Sequence, residues 1–448
     1  MNRRPHIQLW ASILLSAGAY GYFFHNVVRE EFTMLILFIA FLFLFYGRLV
    51  TEFGKHLNIL LGAGILFRLM AFTAPVALSE DVYRFLWDGT LVLAGDNPFT
   101  QLPCFYEVNQ WYGQGLSSEL YAQLNSPKYY SVYPPVVQYC SAFVVFLSRG
   151  DISLAIDVFR GFFLSFELLS FFLLLRILDR IKVSQSAAFL YFLNPLVIIE
   201  ISGNLHFEGV VVMFLLLSFL LILQSRTLGA VAALTAAVLT KLNPLMFFPS
   251  LLWVIKGWKR MLLAKMLAVV LFVAAFIPFF SPVFWEHLSN SLDLYFRNFE
   301  FNAGLYFLIR NIWASALGYN PIHWLGPILS VLGFLFILTA IVFRRNKAVL
   351  KLPETWLWVY TIYLITATTV HPWYLIPLVL LGALSGYMFP FFWSALVFLS
   401  YSHYGPANGL YEYFVYLEFA LVFILMILEL KWKAAERERN SFSASIPE

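Results

Sequence analysis

The sequence predicts an all-α polytopic membrane protein, and three observations support this. Of the 448 residues, 61% are hydrophobic and only 12% are charged, whereas a soluble domain carries about 25% charged residues. Apolar runs of helical length recur from one end of the chain to the other. No stretch carries enough polar surface to coat a soluble domain large enough to bind a nucleotide.

Composition also limits the partners that the chain can have. The net charge of +4 comes from basic residues in short loops, so nothing predicts nucleic-acid binding. The first apolar run, residues 9–24, has no good cleavage site and is followed by further runs, so we interpret it as a retained helix rather than a signal peptide. Cys104 and Cys140 allow at most one disulfide, and two free thiols are equally compatible with the sequence.

The membrane spans follow from the length of the apolar runs, because a crossing helix needs about 20 mostly apolar residues. Segments 227–240 and 243–256 are short and could form one bent hairpin around Lys241–Pro244. Segments 134–149 and 303–318 are predicted to lie beside the membrane or to re-enter it, because the first opens with Pro134–Pro135 and the second contains Arg310. This predicts about 14 crossings, at residues 8–24, 32–47, 57–77, 153–178, 184–202, 207–224, 227–240, 243–256, 260–280, 322–343, 353–370, 373–387, 389–403 and 411–430.

Short basic loops favour the cytoplasmic side of a membrane, and this rule orients the chain. One topology places every obvious basic loop inside. It predicts a multi-pass protein of the cytoplasmic membrane with both termini in the cytoplasm. The distinctive polar residues then lie in the outer loops, so we expect function on the outer face. The basic loops are Arg3–Arg4, Arg48–Lys55, Arg176–Lys182, Lys256–Arg260, Arg344–Lys351 and Lys431–Arg439; the outer loops are 78–152, 203–206, 241–242, 281–321, 371–372 and 404–410.

The first outer loop begins with an unusual acidic segment, residues 79–99, which reads SEDVYRFLWDGTLVLAGDNPF. Its charged candidates are Glu80, Asp81, Arg84 and Asp88. A carboxylate at a membrane interface can have a raised pKa that suits a general base. The alternative is a helix cap, with Ser79 at the N-cap and acidic residues in the first turn.

Two further segments of the outer face carry polar or aromatic candidates. Residues 129–135 (YYSVYPP), which include Tyr133, could form a rigid aromatic wall or an interfacial aromatic belt. Glu200, His206 and Glu208 are ionisable groups at the membrane boundary and are functional candidates for that reason. A structural salt bridge is the alternative. One histidine and two carboxylates do not have the spacing of a metal site, so no metal is predicted.

Cationic and neutral polar side chains complete the set. Lys241, Arg297 and His371 could hold a phosphate group, or they could contact lipid headgroups. The chain has no P-loop and no strand followed by GxGxxG. An enzyme on the outer face also lacks cytosolic nucleotide donors, so an activated substrate would arrive in the membrane, and a lipid-phosphate-linked sugar meets this requirement. A carboxylate would deprotonate the acceptor hydroxyl, and cations would stabilise the departing phosphate.

Several of these motifs resemble those of a known family. The runs DVYRFLWDG at 81–89 and GDNPF at 95–99 resemble the first outer loop of the GT-C superfamily of polyprenyl-phosphate-sugar-dependent glycosyltransferases, in particular its mannosyltransferase-type members. The turn at 203–208 resembles their second motif, although Phe207 stands where many relatives have Asn. Lys241 with Pro244, Asn302, and the HPWY run at 371–374 recur in similar places.

The resemblance implies a fold and an organisation. It implies a GT-C-like bundle of about 14 transmembrane helices in which the first outer loop carries juxtamembrane helices. Residues 57–375 would form the catalytic core, including the outer loop 78–152. Residues 1–56 would add an N-terminal hairpin, residues 376–430 the C-terminal helices, and residues 431–448 a disordered cytoplasmic tail.

The resemblance also implies an activity. A hexose, with mannose favoured, would pass with inversion from a polyprenyl-phosphate donor to a lipid or glycan acceptor outside, with neither metal nor cofactor and amid membrane lipids. Asp81 would be the base, with Glu80 as its neighbour. Arg84, Asp88, Tyr133, His206, Glu208, Lys241, Arg297, Asn302, His371 and Tyr374 would bind substrates. A lipid or solute transporter is the alternative, although no internal repeat supports it, and a non-catalytic assembly subunit is a third possibility.

Overall fold

Helices account for almost every ordered element in a computed structural model that describes residues 3–111, 115–344 and 348–443. Within those ranges no strand forms, and the single β-bridge joins Phe301 to Thr369 in parallel. The prediction of an all-α protein is therefore confirmed. The helices are α1 Arg3–Asn26, α2 Phe32–Phe53, α3 Leu57–Leu69, α4 Asp81–Leu93, α5 Pro103–Val108, α6 Ser118–Ala122, α7 Pro135–Ser148, α8 Ile152–Arg180, α9 Ala188–Phe192, α10 Pro195–Ile198, α11 Glu208–Leu223, α12 Thr227–Thr240, α13 Phe248–Val254, α14 Trp258–Phe276, α15 Phe284–Arg297, α16 Gly304–Leu317, α17 Ile322–Phe343, α18 Leu352–Thr366, α19 Ile376–Ser385, α20 Phe389–Leu396 and α21 Tyr411–Ser443.

Six of the described helices are long and apolar enough to cross a membrane. A seventh candidate is the pair Gln185–Phe192 and Pro195–Gly203, which bends by 54°. Other predicted spans form apolar helices of 10–17 residues, which are shorter than the bilayer core requires. The membrane character of the chain is thus confirmed, and the number of crossings stays a prediction. The six are His6–Asn26, Phe32–Phe53, Ile152–Arg180, Trp258–Phe279, Ile322–Phe343 and Gly405–Glu436.

The bend at residues 193–203 follows from its sequence. Proline lacks an N–H and disfavours helix in the residue before it, so the chain breaks at Asn194 and restarts at Pro195. The Asn194 side chain then accepts a hydrogen bond from the Leu196 backbone at 3.0 Å. The restarted helix ends in a π-helical turn, Ile199–Gly203. Turns of this kind are frequent at functional sites, and this one leads directly to His206.

The segment predicted to be the first outer loop, residues 78–152, folds into packed helices, as predicted. Helix α4 lies against α7, and Gly89 permits the contact, because a Cβ there would come within 2.6 Å of the Ser141 backbone. Helix α7 has 14 residues, so it extends about 21 Å and is shorter than the hydrocarbon core of about 30 Å. This length agrees with a segment that does not cross.

Two other expectations concern the chain beyond α11. The predicted break near Lys241–Pro244 is present, because Lys241 is extended between α12 and a 3-10 turn at Asn243–Phe247. Helix α21 continues to Ser443, so the described part of the predicted tail is helical and no helix ends at the predicted boundary of 430. Cys104 and Cys140 are free thiols.

Loops that were predicted on one side of the membrane do meet at one end of the bundle. Arg29, in the turn after α1, contacts Glu80, and its guanidinium lies 4.6 Å from the Tyr404 ring centroid. Phe301 bonds through its backbone to residues 368 and 370. In a loop predicted to be cytoplasmic, Arg344 forms an ion pair with Glu354 at 3.2 Å.

A fully buried ion pair ties α3 to α8. Arg68 donates to Glu167 at 2.8 Å, and both side chains have no exposed area. The Tyr191 hydroxyl donates to the second carboxylate oxygen at 2.7 Å, and the Arg68 guanidinium lies 4.1 Å from the Phe192 ring centroid. Breaking such a pair leaves an uncompensated buried charge, so the packing of these helices depends on both partners.

Replacing Arg68 alone with leucine should reduce the free energy of unfolding by about 3–5 kcal/mol, because Glu167 stays buried without its cation. Thermal unfolding of the purified protein in detergent measures the loss. The double variant Arg68→Met, Glu167→Leu should recover most of it. The control is Glu52→Gln at an exposed pair with Arg48, which should cost less than about 1 kcal/mol. An unchanged Tm for Arg68→Leu would contradict this role.

Candidate active site

Asp81 lies at the first residue of α4, and its carboxylate faces side chains from other elements. Asn125 donates to its Oδ1 at 3.0 Å, the Tyr133 hydroxyl bonds to the same carboxylate, and His206 Nδ1 lies 4.0 Å from Oδ2. The side chain is 22% exposed. The cap interpretation is supported in part: the Ser79 hydroxyl accepts a bond from the Asp81 backbone N–H at 3.4 Å, and Asp81 lies in the first turn, but the N-cap residue is Glu80, which makes no side-chain cap bond. Asp81 is therefore a carboxylate that accepts bonds from Asn125 and Tyr133 and is still partly accessible from outside the protein.

His206 lies behind Asp81 and is almost fully buried. Its Nε2 is 3.5 Å from Oε2 of Glu200, which belongs to the π-helical turn. Its ring stacks on Trp373, with centroids 3.8 Å apart and planes inclined by 16°. The stack fixes the plane of the imidazole between the two carboxyl groups.

The stack on Trp373 continues beyond His206. The ring centroid of His371 lies 4.4 Å from that of Trp373 with parallel planes, and the Phe301 centroid lies 4.8 Å from that of His371. These four rings, His206, Trp373, His371 and Phe301, form what we call the ring column. It joins the turn after the π-helix to the loop before α16, and so holds three distant chain segments in one wall of the site.

A second charged group lies beside Asp81. Lys241 forms an ion pair with Glu208, the first residue of α11, and its ammonium lies 4.1 Å from the ring centroid of Tyr374. Glu208 is 2% exposed, whereas the Lys241 side chain retains 28% of its exposure. The lysine therefore provides a cation at the accessible edge of a buried carboxylate.

Burial and charge set the protonation of the groups at the mouth of the site. Burial raises the pKa of Asp81, while the bond from Asn125 and the charge of Lys241 oppose the shift. Burial lowers the pKa of His371 to about 3, with help from Lys241. It lowers the pKa of His206 well below its usual value, again with help from Lys241. Both imidazoles are consequently neutral near pH 7, and Asp81 is a stronger base than an exposed aspartate.

The structure separates Glu80 from Asp81. Glu80 pairs with Arg29 at 2.5 Å, across a sequence separation of 51 residues. It faces the turn after α1 rather than His206. Of the two neighbouring carboxylates, only Asp81 joins the group that contains His206, and catalysis by Glu80 stays a prediction without a contact to support it.

Arg84 and Asp88 are brought together below Asp81 in a buried network. Arg84 donates to Asp88 at 2.8 Å and to the carbonyl of Tyr129 at 2.9 Å. Asp88 also accepts from Ser131 at 2.5 Å and from Gln138 at 3.2 Å. This network holds the loop that supplies Asn125 and Tyr133 to Asp81, so it supports the site from behind, and substrate binding by Arg84 and Asp88 stays a prediction.

Asn302 and Arg297 lie away from the Asp81 carboxylate contacts. Asn302 is fully buried, with φ 47°, and its amide donates to Glu418 at 3.2 Å. Arg297 is nearly half exposed and bonds to Asp293 at 2.6 Å. The structure joins neither residue directly to Lys241 or Glu208, and their substrate roles stay predictions.

Some residues of the site were not among the predicted site residues. Asn125 occupies a position that no local pattern marks, because its partner Asp81 lies far away in sequence. Trp373 lies inside the HPWY run at 371–374, but only His371 and Tyr374 of that run were predicted as site residues. Glu200 was only a boundary candidate, although a carboxyl inside an apolar run is itself a signal. Among the described residues no group of three or more His, Cys, Asp or Glu side chains could hold a metal ion, and independence from metal stays a prediction.

The arrangement can perform acid–base chemistry beside a fixed cation. It combines a partly exposed carboxylate, a neutral imidazole and a lysine within one wall of aromatic rings. The fold and the site thus define a polytopic membrane protein with a buried acid–base centre.

The family model described as "alpha-(1->6)-mannopyranosyltransferase, N-terminal domain", of the MptA_B family, matches residues 11–257. That is more than half of the chain and includes Asp81, His206, Glu208 and Lys241. The chain belongs to this family, and it is a glycosyltransferase of the mannosyltransferase type. The predicted resemblance is confirmed, and the predicted alternative of a transporter receives no support. Among curated proteins, none matches the chain significantly.

Arg84→Gln should lower the Tm and the kcat together and leave the KM for the sugar donor little changed, because the loop that carries Asn125 loses its anchor. Thermal unfolding and initial rates measure the two effects. Arg48→Gln, at an exposed arginine, is the matched control. A large rise in KM with an unchanged Tm would instead show that Arg84 binds the donor.

Proposed function

We propose that this protein transfers a mannosyl group from a polyprenyl-phosphate-linked donor to a hydroxyl of a lipid or glycan acceptor on the outer face of the cytoplasmic membrane. The observation that carries the proposal is a partly exposed base, Asp81, that lies within the field of a cation, Lys241, at the end of the bundle where the predicted outer loops meet. The match to a mannosyltransferase family supports the sugar.

In the proposed reaction the acceptor hydroxyl oxygen attacks the anomeric carbon of the donor. The bond from that carbon to the phosphate oxygen breaks, and its electron pair leaves with the phosphate. The hydroxyl proton passes to the Asp81 carboxylate. Its raised pKa suits this step, because a general base works best when its pKa approaches the working pH.

Lys241 would stabilise the departing phosphate. Preorganised cations at the position where charge develops are among the largest contributions to catalysis. In the ligand-free protein Lys241 pairs with Glu208, so a donor phosphate would share or replace that carboxylate. The Tyr374 ring beneath the ammonium limits where it can move, and this keeps the cation close to Asp81.

The proposed inversion at the anomeric carbon, together with the alpha-(1->6) linkage named for the family, specifies the anomer of the donor. A single displacement inverts the anomeric centre, so an alpha-(1->6) product of the kind named for the family requires a beta-linked mannosyl phosphate. The alpha anomer of the same lipid would present its leaving group on the wrong side. The two anomers therefore form a matched pair of probes.

Asp81→Asn should lower the rate of mannosyl transfer by at least about 100-fold, because the base is lost while the size of the side chain is kept. The assay supplies beta-linked mannosyl polyprenyl phosphate with a mannoside acceptor in detergent and separates the products. Glu80→Gln, the neighbouring carboxylate, should retain far more activity. Full transfer by Asp81→Asn, or consumption of the alpha anomer alone, would refute the assignment.

The rate should fall on the acid side as Asp81 takes up a proton. Because burial raises its pKa, the acid limb of kcat/KM should lie above the value of about 4 that an exposed aspartate would give. Asn125→Leu removes a bond that stabilises the carboxylate, so the limb should move to still higher pH. A limb that stays in place in Asn125→Leu would show that another group titrates.

A further inference from the structure

An unpaired nitrogen lies in the middle of the site. His206 Nε2 is buried and has no hydrogen-bond partner in the described structure, yet Oε2 of Glu200 is only 3.5 Å away. A buried donor or acceptor without a partner costs about 1–3 kcal/mol. The nitrogen and the carboxyl oxygen are thus the natural partners of each other, and catalytic hydrogen bonds are often long before substrate binds.

The two carboxyl groups that face His206 impose a condition on its protons. Nδ1 faces Asp81 and Nε2 faces Glu200. A neutral imidazole has one N–H donor and one acceptor nitrogen, and an ionised carboxylate can only accept. Burial and the charge of Lys241 keep His206 neutral by lowering its pKa. His206 can therefore bond to both carboxyl groups only if one of them carries a proton.

The surroundings of the two carboxyl groups identify which one carries it. Glu200 has no exposed area, and its other recorded partners are neutral donors, Asn204 at 2.9 Å and Tyr401 at 3.1 Å. Asp81 is 22% exposed and lies within the field of Lys241. An ionised group is far less costly where water and a cation reach it, so the proton belongs on Glu200.

We propose that Glu200 is a positioning residue for catalysis: as a neutral acid it donates to Nε2 of His206 and thereby directs the Nδ1–H of that ring at Asp81. The inference rests on the proposed role of Asp81 as the base. Glu200 does not contact the reacting atoms and acts through the imidazole. Its effect is to fix one tautomer, so that Asp81 receives a donor on Oδ2 and keeps its charge.

The remaining charged neighbours fit this assignment. Glu208 pairs with Lys241, so its carboxylate already has a cation as its partner. His371 is held neutral in the ring column. No other charged group contacts His206 in the described structure, so its tautomer is set by the two carboxyl groups and by the stacking on Trp373.

The tautomer can be observed without any turnover. The full-length protein is labelled with ¹⁵N-histidine, and the signals of His206 are assigned by their loss in His206→Gln. We expect a neutral ring protonated at Nδ1 in the wild type. Glu200→Gln should keep this tautomer, because its amide can donate to Nε2, whereas Glu200→Leu should change it. An imidazolium, or a ring protonated at Nε2 in the wild type, would overturn the proposal.

Rates provide the second measurement. Glu200→Leu should lower kcat by at least about tenfold, a loss of about 1.4 kcal/mol in transition-state stabilisation, and the donor KM should change little. Glu200→Gln should restore most of that loss. Tyr401→Phe, which removes a bond to the other oxygen of Glu200, is the matched control and should leave the tautomer unchanged. Equal rates for Glu200→Leu and wild type would overturn the proposal.

The two proposals can fail separately. If the wild type does not consume a mannosyl polyprenyl phosphate, the proposed function fails. The NMR signals of His206 still determine whether Glu200 carries a proton. If the wild type is active but Glu200→Gln loses as much activity as Glu200→Leu, the positioning role fails and the proposed function stands.

Discussion

The charge of Lys241 is the constraint on which the rest of the site depends. Three carboxyl groups, Asp81, Glu200 and Glu208, gather at one buried end of the bundle, where an unpaired anion is costly. Lys241 pairs directly with Glu208, and its field extends to Asp81. One cation cannot compensate three anions. The site is therefore stable only if the three carboxyl groups differ in protonation, and this difference underlies the different roles that we propose for them.

Much of this arrangement is predictable, because the pattern of predicted spans indicates which loops share one side of the membrane. Residues 227–240 and 322–343 are helical with the predicted bounds. The gathering of His206, Glu208 and Lys241 agrees with the prediction that their loops share one side. The Arg84–Asp88 pair was also open to prediction, since a spacing of four places both side chains on one helical face.

Other features depend on contacts that no local pattern contains. Glu80 finds Arg29 across 51 residues, and Trp373 stacks on His206 from a segment far along the chain. The local sequence does not distinguish the role of Glu80 from that of Asp81. Their partners, which lie far away in sequence, do distinguish them. The number of crossings is similarly open, because an apolar helix as short as Leu57–Leu69 can be buried among other helices without reaching both sides of a bilayer.

The π-helical turn at Ile199–Gly203 has a consequence for how this segment tolerates change. Each residue advances a helix by about 100°, since a turn contains about 3.6 residues. A deletion of one residue here would restore a regular helix and rotate Glu200 away from Tyr401, and the turn that presents His206 would lose its starting point. We therefore expect residues that line the site to tolerate substitution, whereas the number of residues between Pro195 and Glu208 is fixed by the geometry of the π-helical turn.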